Sequence, residues 1–291
     1  MISILTPIYN RAYIINNLYQ SLLNQTDKMF EWVIIDDGSN DNLKSVVNNW
    51  IIDNKVNIKY FYQKNQGKHI AINTGAKICE SKYICIVDSD DYLIDNAVEK
   101  IRKRILEIDD KDYFSGIAFC KGNYVNGKLI NMGKFPANKK YIDASDFERV
   151  KKNLTGEKLE VVKKELLIKY AFPKFEDERF LSEGVLWGKL SLDNYKMRWY
   201  PEVLCVCEYL EDGLTLSNQN KLILDNFKGF TYFIKTVDKY KPGILKYIRI
   251  GIYIYFARIK NISIKQIKNN LEISNFDLVC SIPFYLVKKV K

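Results

Sequence analysis

Histidine is almost absent from this 291-residue chain; His69 is the single one. A lone imidazole argues against a His-based zinc site and against a Ser-His-Asp triad. Proline is scarce, at six residues, and the six cysteines (Cys79, Cys85, Cys120, Cys205, Cys207 and Cys280) form no CxxC pair. Three of them lie in apolar, strand-like runs, where a thiol behaves as a small buried hydrophobe. The opening MISILTPIYN lacks a basic segment leading into an apolar one, so it reads as a strand rather than a secretory leader. A reducing, cytoplasmic setting is therefore expected. Internal repeats and low-complexity tracts are missing too.

What is present is a chain with 47% hydrophobic residues, enough for a substantial core and against wholesale disorder. The formal net charge is +10, and it is segregated. Residues 220–291 hold 14 Lys and Arg against 4 Asp and Glu, while the other 219 residues hold 31 of each. Uniform basicity would point to nucleic acid. A neutral body with a basic appendage points to an anionic surface met by that appendage.

Short apolar runs at 2–6, 32–36, 58–62 and 83–87 fit strands buried on both faces. Between them, 12–24, 41–53 and 68–79 carry apolar residues at helical spacing. The alternation predicts a mostly parallel sheet wound with helices, an α/β fold. Further on, YFSGIAFCKGNYVNGKLI predicts a hairpin turning at Asn126-Gly127, 197–210 reads as a strand, and the chain beyond 220 as a basic helical region. The expected division is 1–219 for the main domain, split into 1–100 and 101–219, and 220–291 for the appendage.

In such a sheet, ligands bind beyond the carboxyl ends of the strands. The strand exits are TPIYNR, DDGSN, QKNQGKH and DSDD. Together they offer an aromatic, Tyr9, able to stack on a base; a carboxylate, Asp36 or Asp37, able to accept from a base N–H; a cation, Lys68, able to meet phosphate; and the cluster Asp88, Asp90 and Asp91. Three acids within four positions repel unless a cation lies between them. Hard oxygen ligands suit Mg²⁺ or Mn²⁺, which also take phosphate oxygens. The alternative is that Asp90 or Asp91 caps a helix starting near Leu93.

ISILTPIYNRAYIINNLYQSLLNQT, EWVIIDDGSNDN, NQGKHIAINTGAK and YICIVDSDDYL, in this order, resemble the family 2 glycosyltransferases of GT-A fold, of the bacterial surface-polysaccharide type. The resemblance is strong over roughly 1–100 and weaker over 170–215. It implies a nucleotide-sugar donor, most often UDP-linked, a divalent metal, and inversion at the anomeric carbon. It places Thr6, Tyr9 and Asp37 at the nucleoside, Asp88 and Asp90 near ribose and metal, and Asp91 as a sharer of the metal. It matches SEGVLWGKL to the segment carrying the base, which implies Glu183 as base and Trp187 beneath the sugar, with Glu176, Asp177 and Glu178 as competitors. Tyr209 and Thr215 fall in a loop near the diphosphate. The implied acceptor is a growing glycan or a lipid-linked saccharide. Two other readings use the same acids: a metal-dependent nucleotidyltransferase, and a non-catalytic scaffold.

In the appendage, ILKYIRIGIYIYFARI at 244–259 is very apolar but broken by Lys246, Arg249 and Arg258, a poor transmembrane span. At 100° per residue, Lys246, Arg249 and Lys260 share one arc, as an interfacial helix on an anionic membrane would arrange them. The competing reading is a helix packed on the catalytic domain.

Overall fold

A computed structural model describes residues 1–207 and 218–290, apart from the side chains of residues 289 and 290. Tyr209 and Thr215 lie outside the described residues. The first half alternates strictly: β1 (Ile2–Ile8), α1 (Asn16–Leu23), β2 (Phe30–Asp36), α2 (Leu43–Asp53), β3 (Ile58–Tyr62), α3 (Lys68–Ile78) and β4 (Tyr83–Ile86). β3, β2, β1 and β4 lie side by side and parallel. The continuous apolar runs of β1, β2 and β4 are buried on both faces, as their sequences require; β3 is not, because it is the edge strand, and Phe61 and Tyr62 are 46 and 55% exposed. Under one face, Tyr19, Trp32 and Trp50 stack in a row from α1, β2 and α2.

The second half completes a mixed sheet. It contains β5 (Asp91–Leu93), α4 (Ala97–Ile105), β6 (Phe114–Val125), β7 (Lys128–Asn131), β8 (Ile142–Ala144), β9 (Lys158–Lys163), α5 (Lys164–Lys169), α6 (Gly184–Leu192) and β10 (Lys196–Cys207). The strand order is β3-β2-β1-β4-β9-β6-β10-β5, with β7 on β6 and β8 on β10. The hairpin turns where expected, with Asn126 at φ 50° and Gly127 at φ 75°, the left-handed pair that a two-residue turn of matching twist needs. No helix starts at Leu93. Asp91 to Leu93 form β5 against β10, and α4 begins at Ala97, so the capping alternative for Asp90 and Asp91 does not hold.

Residues 219–290 form five helices: α7 (Gln219–Asp225), α8 (Phe227–Thr236), α9 (Ile244–Ile259), α10 (Ile264–Leu271) and α11 (Asn275–Val290). They bury an apolar cluster of their own, including Phe227, Ile234, Tyr253, Phe256 and Leu271. α8 also docks on α6 of the sheet half. A Cβ on Gly188 of α6 would lie 2.0 Å from a methyl of Val237, and one on Gly184 2.9 Å from the Phe233 ring. α9 is a core helix: Ile250, Tyr253, Ile254, Phe256 and Ala257 are buried. Lys246 pairs with Asp277 and Arg249 with Asp238, and Lys260 donates to the Leu224 carbonyl. α9 is thus packed, but chiefly on α8, α11 and the 238–240 turn of its own region rather than on the sheet half. Among the described residues no helix is long and apolar enough to cross a membrane.

Candidate active site

The four parallel strands end at one edge, and their exit loops are tied together. Asn10, at φ 52°, accepts from the Asn40 amide and donates its own amide to Ser39 Oγ, so the loops after β1 and β2 hold each other. Tyr9 stands 45% exposed at this edge. Thr6 does not reach it. Its side chain is buried within the sheet and accepts from Trp32 Nε1 at 3.0 Å. Asp37 is buried as well, and three donors hold it: Gln63 Nε2 at 2.7 Å, the Gln66 amide at 2.9 Å and the Gly67 amide at 2.7 Å. Burial raises its carboxyl against these donors. The direct work of Asp37 is to shape the 63–67 loop. Asp36 accepts from the Ser39 amide at 2.7 Å and contacts the Tyr60 hydroxyl.

That loop delivers Lys68. Gly67 sits at φ 91°, and a Cβ there would lie 1.9 Å from the Arg179 carbonyl oxygen. Only glycine permits this approach, and it brings the first residue of α3 against the segment leading into α6. The Lys68 ammonium lies 2.5 Å from Asp88 Oδ1 and 2.7 Å from Glu183 Oε1. Burial opposes its charge, but Asp88 and Glu183 outweigh burial and raise its pKa. A second lysine serves the other side of the cluster. Lys121, on β6 and almost fully buried, lies 2.6 Å from Asp91 Oδ2 and 3.6 Å from Asp88 Oδ2. Burial pushes Asp88 up, yet the two ammonium groups hold it far below the usual carboxylate range.

The cations between the acids are thus lysines of the chain itself. Asp91 is 4% exposed within β5 and engaged by Lys121, a different partner from the metal expected for it. Asp90 differs: burial and the charge of Asp88 raise its carboxyl, and no described ion pair involves it. Two neighbouring carboxylates, one of them in no described ion pair although Arg11 and Lys68 act on it from farther off, are donors of the kind that suits Mg²⁺ or Mn²⁺. Among the described residues no three His, Cys, Asp or Glu side chains converge on one metal position. Asp88 and Asp90 therefore make at most a partial cage, to be completed by phosphate oxygens and water.

Glu183 stands at the first turn of α6, and a clasp fixes its approach. Glu178 accepts from the Lys228 and Gly229 amides, both at 2.7 Å, satisfying two orphan N–H groups at the start of α8. In return Asn226 Oδ1 accepts from the Arg179 and Phe180 amides, both at 2.9 Å. Glu178 is thereby committed to α8, and Glu176 and Asp177 are exposed. Among these competitors Glu183 is the acid that pairs with Lys68. Trp187, one turn along α6, is half-buried against the core beneath that helix. His69 is buried and lowered to about 4 by burial, a core residue.

Three residues of this region were not singled out from the sequence. Lys121 had a signal, a lone charge inside the apolar run IAFCKG. Glu160 had less, lying between charged and apolar residues in KLEVVK. Burial pushes the Glu160 carboxyl up to about 7, with Glu183 among the acids that add to the rise. Asn226 had none.

A family model described as Glycosyl transferase family 2 matches residues 3–159. The chain belongs to this family. An uncharacterized glycosyltransferase of Haemophilus influenzae is 35% identical over 137 residues, 46% of this chain and 54% of the relative. A GalNAc(5)-diNAcBac-PP-undecaprenol beta-1,3-glucosyltransferase of Campylobacter jejuni is 30% identical over 196 residues, 65% of this chain and 59% of the relative. Three Rickettsia glycosyltransferases are matched over only 20 to 22% of their length, so the chain spans about half, or less, of these relatives. In structure, residues 1–349 of Staphylococcus aureus TarS in complex with UDP-GlcNAc superpose with a TM-score of 0.63 at 18% identity, covering 97% of this chain and 79% of TarS 1–349. The Pyrobaculum calidifontis mannosyltransferase PcManGT, with GDP-Man and Mn²⁺, gives 0.54 at 14% identity, covering 99% and 75%. The fold is that of the GT-A glycosyltransferases.

Proposed function

We propose that this family 2 chain is an inverting glycosyltransferase. It would move a sugar from a nucleotide-diphosphate donor, UDP-linked, to a hydroxyl of a glycan or lipid-linked saccharide. The observation that carries this reading is the Lys68 bridge. One ammonium joins Asp88, at the exit of a nucleotide-site strand, to Glu183, 95 positions later at the head of α6. Acid, base and cation therefore meet at the sheet edge where Tyr9 is exposed. UDP-GlcNAc in the TarS neighbour supports the donor class, and the Campylobacter relative supports the acceptor class.

In this reading Tyr9 stacks on the base and Lys68 faces the diphosphate. Asp90 with Asp88 would hold a divalent metal, which supplies positive charge to the leaving diphosphate. The Glu183 carboxylate takes the acceptor hydroxyl proton as the acceptor oxygen bonds to the anomeric carbon. The bond from that carbon to the diphosphate oxygen breaks on the opposite face, and the nucleoside diphosphate leaves with the electron pair. Trp187 lies one helical turn beyond the base, within reach of a sugar ring.

Glu183→Gln tests the assignment. Removing a general base costs about 10²–10⁴-fold, so transfer should fall by that factor while UDP still raises the melting temperature. Unchanged transfer would remove Glu183 from this role. Release of pyrophosphate instead of UDP would replace sugar transfer by nucleotidyl transfer.

A further inference from the structure

α11 has two apolar faces, and only one is used. Ser281 is fully buried against α9, where a Cβ on Gly251 would meet the Ser281 carbonyl at 2.8 Å and the Phe284 Cβ at 2.7 Å. On the other side Phe276, Val279, Ile282, Leu286 and Val287 are 68, 62, 43, 51 and 58% exposed. At 3.6 residues per turn these five fall within an arc of about 140°. Pro283 is exposed in the same arc, and Asn275, at its first turn, is the one described hydrogen-bonding side chain there, already held by Lys268.

The charge around this face has one sign. Of the four acids in residues 220–291, three are already ion-paired: Asp238 with Lys241, Glu272 with Lys235 and Asp277 with Lys246. Several cations reach neutral oxygens instead. Lys268 donates to Asn275 Oδ1 at the start of α11, and the exposed Arg258 to the Ile262 carbonyl. Their charge stays uncompensated.

We propose that α11 lies in the surface of an anionic membrane, with Phe276, Val279, Ile282, Leu286 and Val287 entering the headgroup–acyl boundary and the surrounding lysines meeting lipid phosphates. A second copy of the chain would bring two strongly basic regions face to face, which like-charge repulsion opposes. A protein partner would ordinarily need about one hydrogen bond per 100–200 Å² of contact, and this arc offers only Asn275, at one end and already engaged by Lys268. Compared with α9, the helix its sequence makes most apolar, α11 is the one whose apolar side is left uncovered. The inference does not depend on which sugar is moved.

The test is sedimentation of the full chain with phosphatidylglycerol-rich or phosphatidylcholine vesicles at low salt. Binding should be confined to the anionic vesicles and should weaken as salt shortens the screening length. Lys268→Gln should weaken it about fivefold. Val279→Asp with Leu286→Asp should abolish it while thermal melting stays that of the parent, since both positions are exposed; Leu286→Gln, a gentler change, should weaken it in part. No pelleting with anionic vesicles at low salt would overturn the proposal. So would undiminished binding by the Val279→Asp, Leu286→Asp variant, or a solution dimer that this variant dissociates.

Discussion

Replacing Lys68 by Met keeps the length of the side chain and removes its ammonium. Two carboxylates then lose the cation that lies 2.5 Å from one and 2.7 Å from the other. Breaking a buried pair costs about 3–5 kcal/mol, and an exposed pair is worth about 0–1 kcal/mol. The three side chains are 29 to 32% exposed, so the loss should fall between these limits, at about 2 kcal/mol. For a protein of this size that is a fall of roughly 4–8 °C in Tm. The pH dependence has a definite sign. Asp88 is held below its ordinary value of 3.8, so its stabilising pairing is fully present above that value and is lost as pH falls through the lowered one. The difference between parent and variant should therefore narrow as pH drops below about 4. Scanning fluorimetry across pH, with and without Mn²⁺ and UDP, reads all of this. Mn²⁺ alone should recover more stability in the variant than in the parent, because Asp88 is released from the Lys68 ammonium, whereas UDP should recover less, because Lys68 faces the diphosphate. A variant as stable as the parent at neutral pH, or a difference that widens toward acid, would refute the assignment of Lys68 as the resident cation of the site.

Asp90→Asn should leave the ligand-free protein at least as stable as the parent, because it relieves a carboxyl that burial and Asp88 both disfavour. It should also abolish the Mn²⁺ dependence of UDP-induced stabilisation, a comparison made in the same melting assay. Glu178→Ala should cost about 1–2 kcal/mol, the usual price of a lost helix cap, because the two amides at the start of α8 lose their acceptor. It should lower kcat more than it raises the donor KM, since the clasp leads directly into Glu183 and reaches Lys68 only through the approach of Arg179 to Gly67; equal effects on both would reduce Glu178 to a structural role.

The sequence by itself determined the first half of the sheet and its useful edge. Continuous apolar runs at 2–6, 32–36 and 83–87 are buried on both faces, and helical spacing between the runs forces parallel crossovers; the run at 58–62 pairs as expected but, as the edge strand, is left half open. The polar residues at all four exits then had to meet. The Asn126-Gly127 turn was equally legible, because its left-handed backbone is a local preference. β9 was not legible: KLEVVK shows its charges, and its place between β4 and β6 comes from pairing with distant strands. The acids were visible at Asp88, Asp90 and Asp91, but which cation each one meets is decided by three dimensions. Lys121 arrives on β6 and Lys68 on α3, and Glu183 reaches Lys68 through a close approach that only Gly67 allows. Thr6 and Asp37 sit at the expected strands, yet their side chains face Trp32 and the 63–67 loop, a matter of strand register and loop closure. In the basic region the sequence marked α9 as the most apolar helix. Packing covered α9 and left α11 open, because composition records how apolar a helix is and only its neighbours decide which face is left to solvent.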